Sequence, residues 1–492
     1  VRCGKLKEHR KFLGGKLALS LLALGLIASG ATGKVLLRWT QSNIPAARNL
    51  GVDELVIPWN ADAKKLAVIA KEKGYRVYLE VAPQQADTVA ETEANAGIAG
   101  LLLAPASGDE QAAEKLIEKL RSSYPKLTFR LLFSHEKQPK MRGHLLFENN
   151  GTVQASSPTE QPWVDSNLAS IRLAQAFHSD KRPLYSFVWE ESDPLQKQLG
   201  PRVEQYALAI AEAGAAHADL LLNLPENLQD SLANDKPEAW ATWKQLKPFL
   251  DFYERANGEA SPSVASVAVW TDGQQGWYEP VNLMARHNIP FRLLTKEQLN
   301  SDSLKNMDML VSFLTPEKEQ VAIISKYASA GGTVVLVGAH GSFPWESSDP
   351  VRQTDQSKVY SVGKGKVIEF SGPIVNPETF AQDVRRLMTK GKVPVSLWNS
   401  LTTLVIPYGD PRSDQIVLEL INYEAEPLQV QVQVKGSFAS IRYESPEQAC
   451  CEALTPHLVD GFTEFVVPLV IGGRVHLQAA TSKRNEPAKK GR

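Results

Sequence analysis

The sequence predicts an α/β fold: a (β/α)8 barrel, then a smaller α/β layer, then an antiparallel β-sandwich. Three observations predict it. Between Lys34 and about Arg255, short apolar runs alternate with helical patterns, and eight such units fit a barrel of parallel strands. A Ser, Pro and Gly stretch at 255–266 then interrupts the pattern before a shorter α/β alternation begins. From about Lys392 the helical period disappears and apolar and polar residues alternate, as in half-buried antiparallel strands. A chain of 492 residues is too long for one ordinary core, so several domains are expected.

The first 33 residues read as a leader. "RCGKLKEHRKFLGGK" is basic, "LALSLLALGLIA" is an apolar core, and "SGATG" offers small residues for a cut near Ala31 or Gly33. The apolar run is short for a membrane span, so the expectation is a secreted or periplasmic protein without a stable span after cleavage, with an uncleaved anchor as the alternative. Over the whole chain 54 basic side chains balance 55 acidic ones. That balance gives no field to hold nucleic acid or an anionic membrane.

The barrel strands are read at "VLLRWT" (35–40), "ELVIPWN" (54–60), "YRVYLEV" (75–81), "IAGLLLAP" (98–105), "LTFRLLFSH" (127–135), a run within 143–157, "PLYSFVWEE" (183–191) and "ADLLLNLP" (218–225). Segments such as "ADAKKLAVIAKEKG" and "DEQAAEKLIEKLRSSY" supply helices between them. A doubly wound open sheet is the alternative, but no Gly-rich phosphate turn follows the first strand. The sixth unit is irregular, because Asn150-Gly151 signals a β-hairpin there. Beyond the linker, "SVAVW", "FRLLT", "MDMLVSFL" and "GGTVVLVG" read as strands, with "EKEQVAIISKYASAGG" as a helix closed by glycine. The expected divisions are therefore 1–33 leader, 34–258 barrel, 262–391 α/β layer, 392–480 sandwich and 481–492 polar, disordered tail.

Barrel, α/β module and small β-domain in this order resemble the three-domain β-galactosidases of glycoside hydrolase family forty-two. The segment "VSFLTPEKEQVAIISKYASAGGTVVLVG" (311–338) looks like their flavodoxin-like, amidotransferase-derived middle domain. Residues 262–390 hold no cysteine, so glutaminase chemistry is excluded. The resemblance implies a saccharide ligand at the carboxyl rim of the barrel and a homo-oligomer, since that middle domain often supports trimers. It also implies an Asn-Glu pair on the fourth strand and a nucleophilic Glu on the seventh. Here the fourth strand ends "LLLAPASGDE", without Asn-Glu, whereas Glu190 or Glu191 matches the seventh-strand position.

Glycoside hydrolysis ordinarily uses two carboxylates flanking the scissile bond. Alternation along "PLYSFVWEE" puts Leu184, Ser186 and Glu190 on one face, and the small Ser186 suits a crowded interior. A slip of one residue would aim Glu191 inward instead. Glu80 ends the third strand and is the first candidate partner for Glu190, although Arg38 could hold it in a structural ion pair. Asp165 is the second candidate, although it also stands where the next helix needs an N-cap. Trp39, Trp59, Trp163 and Trp189 fall near strand ends and would form a stacking platform for sugar rings, with Asn60 and Asn223 binding hydroxyls. A non-catalytic carbohydrate-binding or scaffold protein is the competing class.

No metal or cofactor is expected, because the nine histidines show no ligand spacing and no nucleotide motif appears. Cys450 and Cys451 are adjacent, and neighbours rarely bridge each other, so no disulfide is expected either.

Overall fold

The computed structural model describes residues 34–106, 108–133, 140–142, 146–149, 152–155, 166–178, 182–190, 201–254, 263–274, 276–388, 393–409, 415–423 and 426–479. At 140–142, 146–149, 152–155, 188–190 and 449–450 the description is of the backbone.

The first region contains β1 (Val35–Arg38), β2 (Glu54–Pro58), β3 (Arg76–Val81), β4 (Gly100–Leu103) and β5 (Thr128–Phe133). It continues with β6 (Lys140–Arg142), β7 (Leu146–Asn149), β8 (Thr152–Ala155), β9 (Leu184–Ser186), β10 (Val188–Glu190) and β11 (Asp219–Asn223). The parallel barrel closes in the order β1-β11-β9-β5-β4-β3-β2. It therefore has seven strands, not eight. The sixth run stays outside as the antiparallel hairpin β7–β8, in which Asn149 faces Thr152 across the Asn-Gly turn position. β5 pairs directly with β9, Leu132 beside Leu184, which leaves no place between them for another strand.

Alternation sorts the barrel side chains. Leu36, Val56, Tyr78, Leu102, Leu132, Leu184 and Leu221 form one interior cluster, so each of the seven strands contributes a side chain to it. The alternate positions, such as Leu37, Leu55, Leu79 and Leu101, face the surrounding helices. In the helix Glu110–Ser123, Ala113, Ile117 and Leu120 recur at helical spacing and are buried, and Pro125 follows soon after its end.

The barrel floor is ionic. Asp219 is buried and accepts from the Lys34 backbone N (2.8 Å), Arg130 Nη2 (2.6 Å) and Arg182 Nη2 (3.2 Å). Glu54 lies beside it with Lys34 and Arg76 at 3.1 and 2.9 Å. Residues at this N-terminal end of a barrel serve stability.

The second region comprises β12 (Val267–Trp270), β13 (Phe291–Leu294), β14 (Met309–Ser312), β15 (Thr333–Val337), β16 (Arg352–Gln353), β17 (Ser357–Val362) and β18 (Gly365–Phe370). Its sheet runs β13-β12-β14-β15-β18-β17-β16, with the first five strands parallel. Those five follow the flavodoxin-like order 2-1-3-4-5.

The third region has β19 (Val395–Leu397), β20 (Thr403–Gly409), β21 (Gln415–Asn422), β22 (Leu428–Lys435) and β23 (Phe438–Ser445). After these come β24 (Gln448–Ala453), β25 (His457–Val459), β26 (Phe462–Leu469) and β27 (Gly472–Ala479). Two antiparallel sheets, β19-β22-β26-β25 and β20-β21-β27-β23-β24, enclose a core that includes Val405, Leu420, Val432, Tyr443, Phe465 and Val475. The other face of the five-stranded sheet packs on the barrel helices. There Tyr408 stacks on His217 with ring centroids 3.9 Å apart, and its hydroxyl donates to Ala215 O (2.7 Å). On the same face Arg474 donates to Glu419 (2.5 Å) and lies 5.0 Å from the Phe252 ring.

Cys451 is disulfide-bonded, which corrects the expectation of no bridge. The other two cysteines of the chain, Cys3 and Cys450, have side chains outside the described set. No helix among the described residues is long and apolar enough to cross a membrane.

Candidate functional site at the barrel rim

Extending the interior alternation by one step beyond the apolar cluster brings Arg38, Pro58, Glu80, Ser186 and Asn223 to the carboxyl ends of their strands. Arg38 and Glu80 meet across the mouth. Arg38 Nε donates to Glu80 Oε2 at 2.6 Å and Nη2 donates to Oε1 at 3.3 Å, so both carboxylate oxygens are engaged by one guanidinium. The pair keeps contact with solvent, with side-chain exposures of 34% and 16%. Beneath it lies Tyr78, whose phenol is pushed above its usual pKa by burial, with Glu54 adding to the rise, so it stays protonated.

On the strand next to β1, Asn223, the register partner of Arg38, donates through Nδ2 to Ser186 Oγ (2.6 Å), and that hydroxyl donates to Leu221 O (3.1 Å). Asn223 is exposed, and its carbonyl oxygen and second N–H remain available to a ligand. The small Ser186 sits where the sequence pattern put it, on the interior face between buried Leu184 and the rim.

β4 contributes no carboxylate at its end. It stops at Leu103 and is followed by Ala104 and Pro105, while Glu110 is turned back to accept from Gly108 N (2.9 Å) at the start of its helix. The missing fourth-strand acid is thus a feature of the structure as well as of the sequence.

Glu190 ends β10, which pairs with β6 and not with a barrel strand; Glu190 is in register with Arg142. Phe187 interrupts the chain between β9 and β10, and β10 with β6 forms a separate two-stranded sheet outside the barrel strand order. Trp189 lies in the same strand. Asp165, Trp163 and Glu191 lie outside the described residues.

The tryptophan platform divides. Trp39 has 0% exposure, faces the helix layer and donates through Nε1 to Asn43 O (2.9 Å), so it has no free face for a sugar. Its position at a strand end suggested the rim, but its parity is that of Leu37 and directs it outward. Trp59 also has outward parity; it packs partly against the helix layer, with Lys64 Nζ 5.8 Å from its ring centroid. Asn60 is exposed, and its Oδ1 accepts from Asp62 N (2.9 Å), shaping the turn into the next helix. Arg38, Glu80 and Asn223 are thus the predicted residues that the described structure brings together. Sequence reasoning missed Ser186 as the hydrogen-bond partner of Asn223, although its small size was the available signal.

Among the described residues no group of three or more His, Cys, Asp or Glu side chains could hold a metal.

A barrel, a flavodoxin-like layer and a β-sandwich in series form the architecture of a class of glycoside hydrolases, and the chain has a family forty-two-like glycoside hydrolase fold. It is similar to the β-galactosidase from Rahnella sp. R3 with a TM-score of 0.58 and 10% identity, covering 91% of this chain and 98% of that one. It is similar to Gan42B, a family forty-two β-galactosidase from G. stearothermophilus, with a TM-score of 0.55 and 10% identity over 92% and 98% of the two chains. The α-L-fucosidase isoenzyme 2 from Paenibacillus thiaminolyticus matches with a TM-score of 0.57 and 12% identity, over 91% and 100%. At these identities the likeness is one of fold. No protein-family model and no curated protein matches the chain.

Proposed function

We propose that the chain acts on a saccharide at the carboxyl rim of its barrel, as a glycoside hydrolase-like protein exported by its N-terminal leader. The observation that carries this reading is the polar rim itself: the Arg38–Glu80 pair and, beside it on the neighbouring strands, the Asn223–Ser186 pair at one barrel mouth, on a fold shared with glycosidases. Such convergent donors and acceptors suit the hydroxyls of a sugar. In this reading Glu190 is the nucleophile or base, Glu80 or Asp165 is its carboxylate partner, and Asn223 binds a hydroxyl. Trp163, Trp189 and Glu191 are further substrate contacts in this reading.

A second reading is favoured by a specific observation. Arg38 engages both oxygens of Glu80, and β4 is followed by Ala104 where an acid would serve, an arrangement suited to holding a saccharide without cleaving it. Fold alone does not choose, because barrels host many chemistries.

The test is a panel of aryl-glycosides and oligosaccharides, assayed for turnover and, by calorimetry, for binding. Turnover supports the hydrolase. Binding without turnover, weakened by Asn223→Ala, supports the binding protein. A chain that neither binds nor cleaves any member contradicts both.

A further inference from the structure

The sheet β19-β22-β26-β25 buries one face against the sandwich core, and its other face carries an unusual set of side chains. In β22 the alternation sends Val430, Val432 and Val434 inward and Gln429, Gln431 and Gln433 outward. In β26 the outward positions include Val466, beside Gln431, and Pro468, beside Gln429. Trp398 follows β19 on the edge of the sheet, its backbone N donating to Gln431 O (3.2 Å), so Trp398, Gln431 and Val466 form a row across three strands.

Trp398 is 60% exposed and Val466 45% exposed. Trp398 therefore presents an open indole face to solvent. It is also held firmly, because Asn399 next to it donates through Nδ2 to Gln429 O (2.6 Å) and accepts at Oδ1 from Gln431 N (2.8 Å). Those two bonds occupy the β22 backbone where the edge would otherwise be open to another strand. Recognition at this place therefore falls to the face of the sheet and not to its edge. Among the described residues the Gln429 and Gln431 side-chain amides and the Trp398 indole N–H have no hydrogen-bond partner.

We propose that this outer face of the sandwich, built on Trp398, Gln431 and Val466 with Gln429 and Pro468 beside them, is a second saccharide-binding surface separate from the barrel rim. A sugar presents an apolar CH face to the indole and neutral hydroxyls, each donor and acceptor at once, to the amides. With strands about 4.8 Å apart, Trp398 and Val466 stand roughly 10 Å from each other, a span for a short oligosaccharide segment. Protein partners fit less well. A specific interface needs about 800 Å² per partner around an apolar centre, and here the Gln431 amide stands between Trp398 and Val466, where a dry interface would strand it. The surface stands on its own residues and does not depend on cleavage at the rim.

The test is affinity gel electrophoresis of the full chain in soluble β-1,4-galactan, β-1,3-glucan, xylan and alginate, beside Trp398→Ala, Gln431→Ala and Arg38→Ala variants. The proposal expects retardation by at least one polysaccharide, weakened about tenfold in apparent affinity by Trp398→Ala, the scale of one lost aromatic contact, and also reduced by Gln431→Ala. Arg38→Ala, which perturbs the rim alone, leaves in place the part of the retardation that Trp398→Ala removes. No retardation by any polymer overturns the proposal, as does retardation insensitive to both sandwich variants. Sedimentation that shows a dimer dissolved by Trp398→Ala overturns it in favour of a second copy covering the face. The Gln431→Ala arm keeps the test decisive if the tryptophan variant folds poorly.

Discussion

Acid is expected to weaken this protein where the barrel meets the sandwich, and His217 is expected to contribute a measurable share of the loss. His217 has a left-handed backbone (φ 56°), and its ring stacks on Tyr408 at 3.9 Å with 15° between planes. Desolvation in this contact, reinforced by the positive charges of Arg172, Arg182 and Arg474, lowers its pKa to about 3 from the ordinary 6.5. The folded-state value is depressed, so the unfolded chain binds the extra proton, and stability falls as pH drops below 6.5, with the loss complete near 3. At pH 5 the unfolded imidazole is protonated through 1.5 units, and at 1.36 kcal/mol per unit the loss is at most about 2 kcal/mol. Some ring exposure makes this an upper figure.

The perturbation is His217→Asn, which tolerates the left-handed backbone and does not titrate. Urea unfolding at pH 7 and pH 5 gives the loss for each protein, and the parent should lose about 1 to 2 kcal/mol more than the variant. Other acid-sensitive groups cancel in this difference, including Glu419, whose pKa burial raises and which therefore acts in the opposite direction. Equal losses in parent and variant would refute the reasoning.

Asp219→Asn removes the carboxylate to which two guanidiniums donate at the barrel floor, and should cost about 3 to 5 kcal/mol, read as a fall in urea midpoint. Gly100→Ala places a methyl 1.7 Å from Thr128 O of the neighbouring strand, and should cost about 3 kcal/mol or more or abolish soluble expression; a stable variant would contradict the barrel register. Trp39→Ala should cost about 3 to 5 kcal/mol in the same unfolding assay, as expected of a core side chain; a selective loss of saccharide binding with unchanged stability would return Trp39 to the rim.

The sequence made the local features legible and left the long-range ones hidden. Alternation placed Ser186 inside and brought Glu80 to the same mouth as Arg38, because one-residue parity fixes which face a strand side chain takes. The Asn-Gly pair marked the β7–β8 hairpin, because that turn has its own chemistry. The strand count was less accessible: an apolar run announces a strand but not the sheet it joins, and β5 closing directly onto β9 is a matter of pairing. Trp39 shows the same limit, since nearness to a strand end says nothing of radial direction unless parity is followed through. The stacking of His217 on Tyr408 joins residues far apart in the chain, and no local pattern announces it.

The most direct measurement is the turnover of the preferred aryl-glycoside by the parent and by Glu190→Gln, with Glu80→Gln alongside. With Glu190 as nucleophile or base, the account predicts that Glu190→Gln lowers turnover by about a thousandfold or more while the fold is retained. Turnover unchanged in Glu190→Gln would contradict it and remove the chemistry from β10.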